Sequence, residues 1–163
     1  MKNTIIRTLA CLLAVLALTL CIAACSGGSD SKLYFQTASG VQITVGDLAG
    51  KTIDDLGKWT SQNSSASCGG FEGMDYIYTY TGFRVSTTPS AKGQIICKVE
   101  ITDDSVKTPQ GLYIGMSRTD AETAMKGFSS ETAGGNLIYS DGEVKLQVVF
   151  RDDCIAGITY VAQ

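Results

Sequence analysis

The stretch that decides the fold runs from Thr108 to Ala162 and reads TPQGLYIGMSRTDAETAMKGFSSETAGGNLIYSDGEVKLQVVFRDDCIAGITYVA. Within it, Ser117-Arg118-Thr119-Asp120 has the form of a capping box, in which the hydroxyl accepts from a first-turn amide and the acidic side chain reaches back. The motif predicts a helix from about Arg118 to Lys126. Gly127 is predicted to end this helix, because glycine readily adopts positive φ.

Three strands are predicted to follow the helix. The first ends near Tyr139 and turns at Asp141-Gly142, a pair that tight hairpin turns prefer. The second alternates apolar and polar residues from Val144 to Phe150, which predicts one buried face. A turn at Asp152-Asp153 leads into the third strand, from Cys154 to Val161. The stretch therefore predicts a helix followed by a three-stranded antiparallel meander.

The same landmarks occur upstream in the same order, as an internal repeat requires. Thr52-Ile53-Asp54-Asp55 has the form of a second capping box, and a tyrosine strand turns at Thr81-Gly82. Cys97-x-x-x-Ile101 then matches Cys154-x-x-x-Ile158. The predicted fold class is α+β, with two tandem helix plus three-stranded antiparallel meander repeats and the helices packed on one face of a curved sheet. The predicted repeats are residues 33–104 and 105–163.

The beginning of the chain has the pattern of a secretory signal. Lys2 and Arg7 precede an apolar run from Leu9 to Ile22 that is too short for a typical spanning helix. The run leads into Ala23-Ala24-Cys25, which resembles the bacterial lipobox, where the cysteine receives a diacylglyceryl group. The alternative is ordinary signal cleavage with Cys25 incidental. The predicted segments are a lipoprotein signal peptide, residues 1–24, and a lipidated cysteine with a flexible tether, residues 25–32.

Lipidation of Cys25 would place the mature chain outside the cytoplasm. Two acyl chains, such as palmitate, are enough for stable membrane attachment. The expected location is the outer face of the bacterial cytoplasmic membrane, or the outer membrane if the source has two membranes.

Composition excludes several classes of function. Loss of Lys2 and Arg7 leaves 11 basic and 16 acidic residues, a net charge of about −5 that would repel nucleic acid. The chain has no histidine, the commonest general base and zinc ligand. Asp103-Asp104 and Asp152-Asp153 offer carboxylates, but they lack calcium-loop spacing and are typical of strand-end turns. We therefore expect no enzyme, no catalytic residues, no metal site and no cofactor. The alternative, an enzyme, would need a deep pocket with convergent polar groups.

Three cysteines remain in the predicted mature chain besides Cys25. Cys97 and Cys154 neighbour alternating apolar residues, so both are expected to act as small core residues. Cys68 lies in a loop, and an exported chain permits a disulfide between Cys68 and Cys97. The alternative is that these thiols stay free.

The alternation of the strands predicts a core face and an opposite face, which we name the open face. The predicted core face carries Leu137, Tyr139, Val144, Leu146, Val148, Phe150, Ile158 and Tyr160. The candidate binding residues of the open face are Ile138, Lys145, Gln147, Val149, Ile155 and Val161, with Ile77, Thr79, Arg84, Ser86, Ile96, Lys98 and Glu100 in the first repeat. An apolar patch with a polar rim marks interaction sites. Scattered apolar exposure, or cover by another segment, is the alternative.

A tyrosine-rich hairpin is the alternative ligand site. Tyr76, Tyr78, Tyr80 and Phe83 share one face if Thr81-Gly82 is a two-residue turn. Such an aromatic platform would suit a sugar or a peptide. The alternative is that these rings belong to the core, with their hydroxyls hydrogen-bonded at its rim.

Several short motifs along the chain carry a family resemblance. They are Ser67-Cys68-Gly69-Gly70-Phe71-Glu72-Gly73-x-Asp75, Tyr78-x-Tyr80-x-Gly82-Phe83, Asp103-Asp104-Ser105-Val106-x-Thr108-Pro109-x-Gly111 and Ile114-Gly115-Met116-Ser117. With the lipobox, their order resembles that of uncharacterised lipoproteins from clostridia-type bacteria. The helix-plus-meander repeat is similar to that of beta-lactamase inhibitor protein and of the small outer-membrane assembly lipoproteins. The resemblance implies a curved sheet with helices on one face and protein binding on the other.

The functional expectation follows from the anchor, the predicted repeats and the lack of catalytic groups. The chain is expected to be a membrane-anchored lipoprotein that binds or scaffolds another envelope or surface protein through the open face. The alternative is a lipoprotein that binds a small ligand or a glycan through the tyrosine-rich hairpin. Fold resemblance does not by itself transfer function.

Overall fold

The computed structural model describes residues 32–163, which lie in one compact unit. The predicted signal peptide, the lipidation site at Cys25 and nearly all of the tether are outside the described residues. Between residues 32 and 163 no helix is long and apolar enough to cross a membrane.

Strands dominate the described residues. In chain order the elements are β1 (Phe35–Gln36), β2 (Gln42–Ile43), α1 (Ala49–Leu56), β3 (Ser61–Ala66), β4 (Met74–Tyr80), β5 (Phe83–Ser90), β6 (Gly93–Ile101), α2 (Arg118–Ala124), β7 (Ser129–Ala133), β8 (Asn136–Ser140), β9 (Val144–Arg151) and β10 (Cys154–Ala162). Strands β1 and β2 form a small separate sheet.

Strands β3 to β10 form one antiparallel sheet of eight strands, in the order β3-β4-β5-β6-β10-β9-β8-β7. The two halves of the sheet meet where β6 pairs with β10. At this junction Ile101 lies opposite Ile158, and Val99 lies opposite Tyr160. The pairing of β6 with β10 therefore joins both halves of the chain into one continuous sheet.

The predicted fold class is wrong. Residues 32–163 are mostly β, with 48% strand and 11% helix, and one eight-stranded sheet replaces the two helix-plus-meander repeats. Neither β3 nor β7 was predicted, because both strands are polar and every residue in them is exposed. Without apolar residues at alternate positions, such edge strands resemble loops in sequence.

The two helices differ in how well the sequence predicted them. Helix α2 begins at Arg118 as predicted, because the Ser117 hydroxyl accepts from the Asp120 N–H at 3.2 Å and contacts the Asp120 carboxylate at 2.7 Å. Helix α1 begins at Ala49, and Leu48 before it makes no side-chain cap. The predicted start at Thr52 is therefore wrong, since Thr52 lies inside the helix.

The core face of β8, β9 and β10 agrees with the alternation pattern. Leu137, Tyr139, Val144, Leu146, Val148, Ile158 and Tyr160 are buried, and Phe150 packs against them. Residues of α1 and α2 and the segment from Leu33 to Val45 complete the same core. Within it, the Phe35 and Phe83 rings lie 5.0 Å apart.

Two β-bulges move residues from the open face to the core face. The pairing of β10 with β9 shifts between Ile155 and Gly157, so that Ile155 lies in the core at 2% exposure. On β6, Cys97 is an extra residue beside the shift at Ser86 and Thr87, and Ile96 is buried. The open-face predictions for Ile155 and Ile96 are therefore wrong, because one extra residue inverts the alternation.

One turn, at Asp141-Gly142, differs from its prediction. Ser140 pairs with Lys145, so Asp141-Gly142 belongs to a longer loop rather than to a two-residue turn. The predicted turn at Asp152-Asp153 is a two-residue turn, with positive φ of 51° and 62°. The two-residue turn at Thr81-Gly82 is confirmed by the pairing of Tyr80 with Phe83.

Candidate functional site

Most of the predicted binding residues lie on the open face, with Ile155 and Ile96 as the exceptions. Lys145 lies opposite Val161, Ile138 lies opposite Gln147, and Val149 lies opposite Gly157. Val149 is 42% exposed, whereas Ile138 and Val161 are half-buried.

The apolar residues of the open face do not form a contiguous patch. Gly157, the partner of Val149, lies four residues from Val161 along β10, which is about 13 Å at the usual strand rise. A polar row of Gln147, Thr159, Glu100 and Arg84 crosses the sheet between them. Within this row Arg84 forms an ion pair with Glu100 at 3.8 Å. The surface is therefore mainly polar, with isolated apolar side chains.

The tyrosine-rich hairpin divides into two parts. Tyr80 and Phe83 are buried and stacked, with ring centroids 5.0 Å apart, so they belong to the core. Tyr76 and Tyr78 are only half-buried, and their ring centroids lie 6.0 Å apart. The outer pair alone is available to a ligand.

Trp59 extends this outer pair and was missed by the sequence analysis. Its ring meets that of Tyr78 edge to face at 5.2 Å, and the side chain is 38% exposed. We name the line of Trp59, Tyr78 and Tyr76 the aromatic strip. The available sequence signal was a single tryptophan just after a predicted helix.

The chain positions the aromatic strip near the edge of the sheet. Alternation along β4 places Tyr76 and Tyr78 on the core face, where only β3 lies between them and the edge. Helix α1 packs against β6, two strands further in. Gly57 ends α1 at φ 71°, a backbone angle that favours glycine, and the chain then leads to Trp59.

A groove opens beside the aromatic strip at the end of α1. Its volume is about 400 Å³, and it is lined by Ile53, Asp54, Gly57, Lys58 and Trp59. The groove thus combines an indole wall and an apolar side chain with one carboxylate and one ammonium group. Pockets for small ligands typically pair apolar walls with a few polar groups that orient the ligand.

The Tyr78 hydroxyl is neutral at physiological pH. Burial raises the pKa of Tyr78 and neighbouring Tyr76 raises it further, while a hydrogen bond with Gln62 lowers it in part. Because the pKa stays above its ordinary value, the hydroxyl remains able both to donate and to accept hydrogen bonds. The strip therefore presents a hydrogen-bonding group next to its ring faces.

The disulfide between Cys68 and Cys97 that an exported chain permits is absent from the structure. Cys68, Cys97 and Cys154 are free in the structure, with Cys68 and Cys154 exposed and Cys97 half-buried. Burial raises the pKa of the Cys97 thiol, which keeps it protonated. The expectation that Cys154 is a core residue is wrong, because it lies at the exposed turn before the β10 bulge.

Acidic side chains of the turns have structural roles. The Asp103 carboxylate accepts from the Ser105 N–H at 2.9 Å. That of Asp141 accepts from the N–H groups of Leu33, Glu143 and Val144 at 2.7 to 2.9 Å. Within residues 32–163, no group of three or more histidine, cysteine, aspartate or glutamate side chains is arranged to hold a metal ion.

Comparison of the chain with family models, curated proteins and solved structures finds no match. The geometry of the aromatic strip and its groove is therefore the basis for inferring a function.

Proposed function

We propose that this chain is a membrane-anchored extracytoplasmic lipoprotein that binds a glycan through the aromatic strip and the adjoining groove. The observation that carries the proposal is the continuous line of three partly exposed rings beside a groove of about 400 Å³. Attachment through a diacylglyceryl group on Cys25 is part of the proposal and rests on the lipobox alone.

A glycan fits the chemistry of this surface. A sugar ring has an apolar face that packs against an aromatic ring and a rim of hydroxyls that needs hydrogen-bond partners. Asp54 and Lys58 supply such partners at the groove, and Gln62 and the Tyr78 hydroxyl supply them along the strip. Binding a sugar here does not require any charged side chain to be buried.

Protein binding through the open face is the second candidate. It is favoured by the exposure of Val149 and Ile77, at 42% and 40%. The interrupted arrangement of the apolar residues makes it the weaker of the two. Val149→Asp should abolish capture of an envelope protein while leaving the fold intact, and unchanged capture by this variant would contradict this second function.

The test of the leading proposal is calorimetric titration of the full-length protein in detergent with soluble hexose and N-acetylhexosamine oligomers. Tyr78→Ala should weaken binding at least tenfold, because it removes the central ring of the strip. Tyr113→Ala is the matched control, since its half-buried ring lies in the segment before α2, beside Lys107. Equal affinities for the two variants, or no heat with any oligomer, would contradict the proposal.

A further inference from the structure

Strand β3 is an open edge of the eight-stranded sheet. It pairs with β4 on one side only, and all six of its residues, from Ser61 to Ala66, are exposed. Within residues 32–163, no other segment covers either face of this strand.

The hydrogen-bond register shows which backbone groups of β3 face outward. The Ser67 N–H donates to the Gly73 carbonyl at 3.0 Å. Because antiparallel pairing alternates, the residues that bond to β4 are then Ser65, Asn63 and Ser61. The N–H and C=O groups of Gln62, Ser64 and Ala66 therefore point away from the sheet. They form an evenly spaced row that another strand can pair with.

The features that usually protect a sheet edge are missing from β3. Exposed edges are commonly protected by charged side chains, proline or a bulge. Strand β3 has the sequence SQNSSA, with none of these residues and no shift in its pairing with β4.

The opposite edge, β7, is less suited to pairing. Its two-residue hairpin at Gly134-Gly135 makes Ala133 and Asn136 a bonded pair, so only Ser130 and Thr132 face outward. Two antiparallel copies of β7 would also bring their Glu131 side chains together, and like charges opposite each other are destabilising.

We propose that two copies of this chain pair through β3, antiparallel and related by a two-fold axis at Ser64. This register sets Ser64 opposite Ser64 and Gln62 opposite Ala66 of the other copy, which satisfies the outward groups with about six backbone hydrogen bonds. Each copy offers the same surface, so the contact closes as a dimer and does not propagate. The uncharged sequence of β3 places no like charges across the axis.

The dimer would place both aromatic strips on one face of a continuous sheet. The two β4 strands would be separated by two copies of β3, a distance of about 14 Å at the usual strand spacing. If the strip binds a glycan, as proposed above, a long chain can contact both copies at once and gain affinity by avidity. This last step rests on the proposed function, whereas the pairing itself does not.

Cysteine crosslinking of the full-length protein tests the pairing directly. In a Cys68→Ser, Cys154→Ser background, Ser64→Cys should form a covalent dimer on mild oxidation, because bonded antiparallel pairs have a Cα separation of about 5.5 Å, which a disulfide can span. Ser130→Cys on the exposed β7 edge is the matched control. We expect at least tenfold more dimer for Ser64→Cys, and equal yields from the two variants would overturn the proposal.

A second variant removes one outward N–H from each copy, and so two of the roughly six proposed hydrogen bonds, while leaving the pairing of β3 with β4 intact. Ser64→Pro deletes an N–H that points away from β4, and proline is tolerated on an edge strand. Light scattering of the full-length protein in detergent should show a dimer for Ser64→Thr and a monomer for Ser64→Pro, with the same circular dichroism. If Ser64→Pro unfolds, Ser64→Lys repeats the test by opposing two like charges. A monomer for the parent chain at every concentration, or a dimer that survives both changes, would overturn the proposal.

Discussion

Tyr78 and Tyr139 occupy matching positions at opposite ends of the sheet. Each lies on the strand next to an edge, and both belong to one cross-strand row on the core face. Tyr139 is nevertheless 3% exposed, whereas Tyr78 is only half-buried. The sheet itself therefore does not decide whether a ring at this position reaches solvent.

The elements that cover the sheet make the difference. Burial raises the pKa of Tyr139, and so does the nearby charge of Glu122, while Arg118 lowers it. Both charged residues belong to α2, which lies close to Tyr139. Helix α1 packs instead against β6, and Trp59 is the ring that meets Tyr78. The exposed strip thus results from where the two helices pack on the sheet.

Truncating the two tyrosines should affect stability very differently. Tyr139→Ala should lower the free energy of unfolding by about 3 to 5 kcal/mol, the range for large aromatic side chains removed from a core. Tyr78→Ala should cost about 1 kcal/mol, because its ring is already partly solvated. Denaturant unfolding of both variants measures the two costs, and equal losses would mean that the two ends are packed alike.

In the middle of the sheet, truncating a side chain should lower stability on the core face but not on the open face. Leu146 is buried in the centre of β9, so Leu146→Ala should cost about 2 to 4 kcal/mol through lost burial and the cavity left behind. Gln147→Ala, one residue further on the open face, should change stability by less than about 0.5 kcal/mol. Thermal melts of the pair check this, and a larger loss for Gln147→Ala would invert the assignment of the faces.

Substitutions near the N-termini of the two helices should differ in their stability costs by a smaller amount. Ser117→Ala should cost about 1 kcal/mol, because the Ser117 hydroxyl accepts from the Asp120 N–H at the start of α2. Thr52→Ala should cost much less, since Thr52 lies inside α1 and does not cap it. The two variants can be compared in the same denaturant series. A larger effect at Thr52 would contradict the observed boundary of α1.

Asp141 should make a small part of the stability dependent on pH. Burial raises its pKa, but hydrogen bonds from the backbone N–H groups of Leu33, Val144 and Glu143 outweigh burial and hold the pKa below its ordinary value. Its stabilising contribution is therefore fully present above the unfolded-state pKa of about 3.9 and is lost as pH falls through the folded-state pKa. Asp141→Asn should remove this acid-side loss, and an unchanged pH profile of melting would contradict the assignment.

The sequence predicted the interior of the second half better than its edges. The alternation along β9 correctly predicted the core face, because burial of one face requires apolar residues at every second position. Strands β3 and β7 escaped prediction because their side chains are solvated on both faces. Ile155 was placed on the wrong face because a bulge between Ile155 and Gly157 inserts one extra residue, which inverts the alternation before it.

The candidate site was predicted only in part, for a related reason. The tyrosine periodicity of β4 indicated a shared face for Tyr76, Tyr78 and Tyr80. Which of these rings reach solvent depends on where α1 packs, and the pattern of β4 does not contain that information. Trp59 lies 19 residues from its ring partner Tyr78 in the sequence, so only the folded chain brings the two together.

The most direct test of the account uses the single tryptophan of the chain, Trp59. Its fluorescence in the full-length protein would be followed during titration with a soluble N-acetylhexosamine oligomer. If the strip binds the oligomer, emission should change saturably, and Tyr78→Ala should shift the midpoint at least tenfold to higher concentration. Saturable binding measured by calorimetry without any change in Trp59 emission would show that the ligand binds elsewhere and would contradict the account.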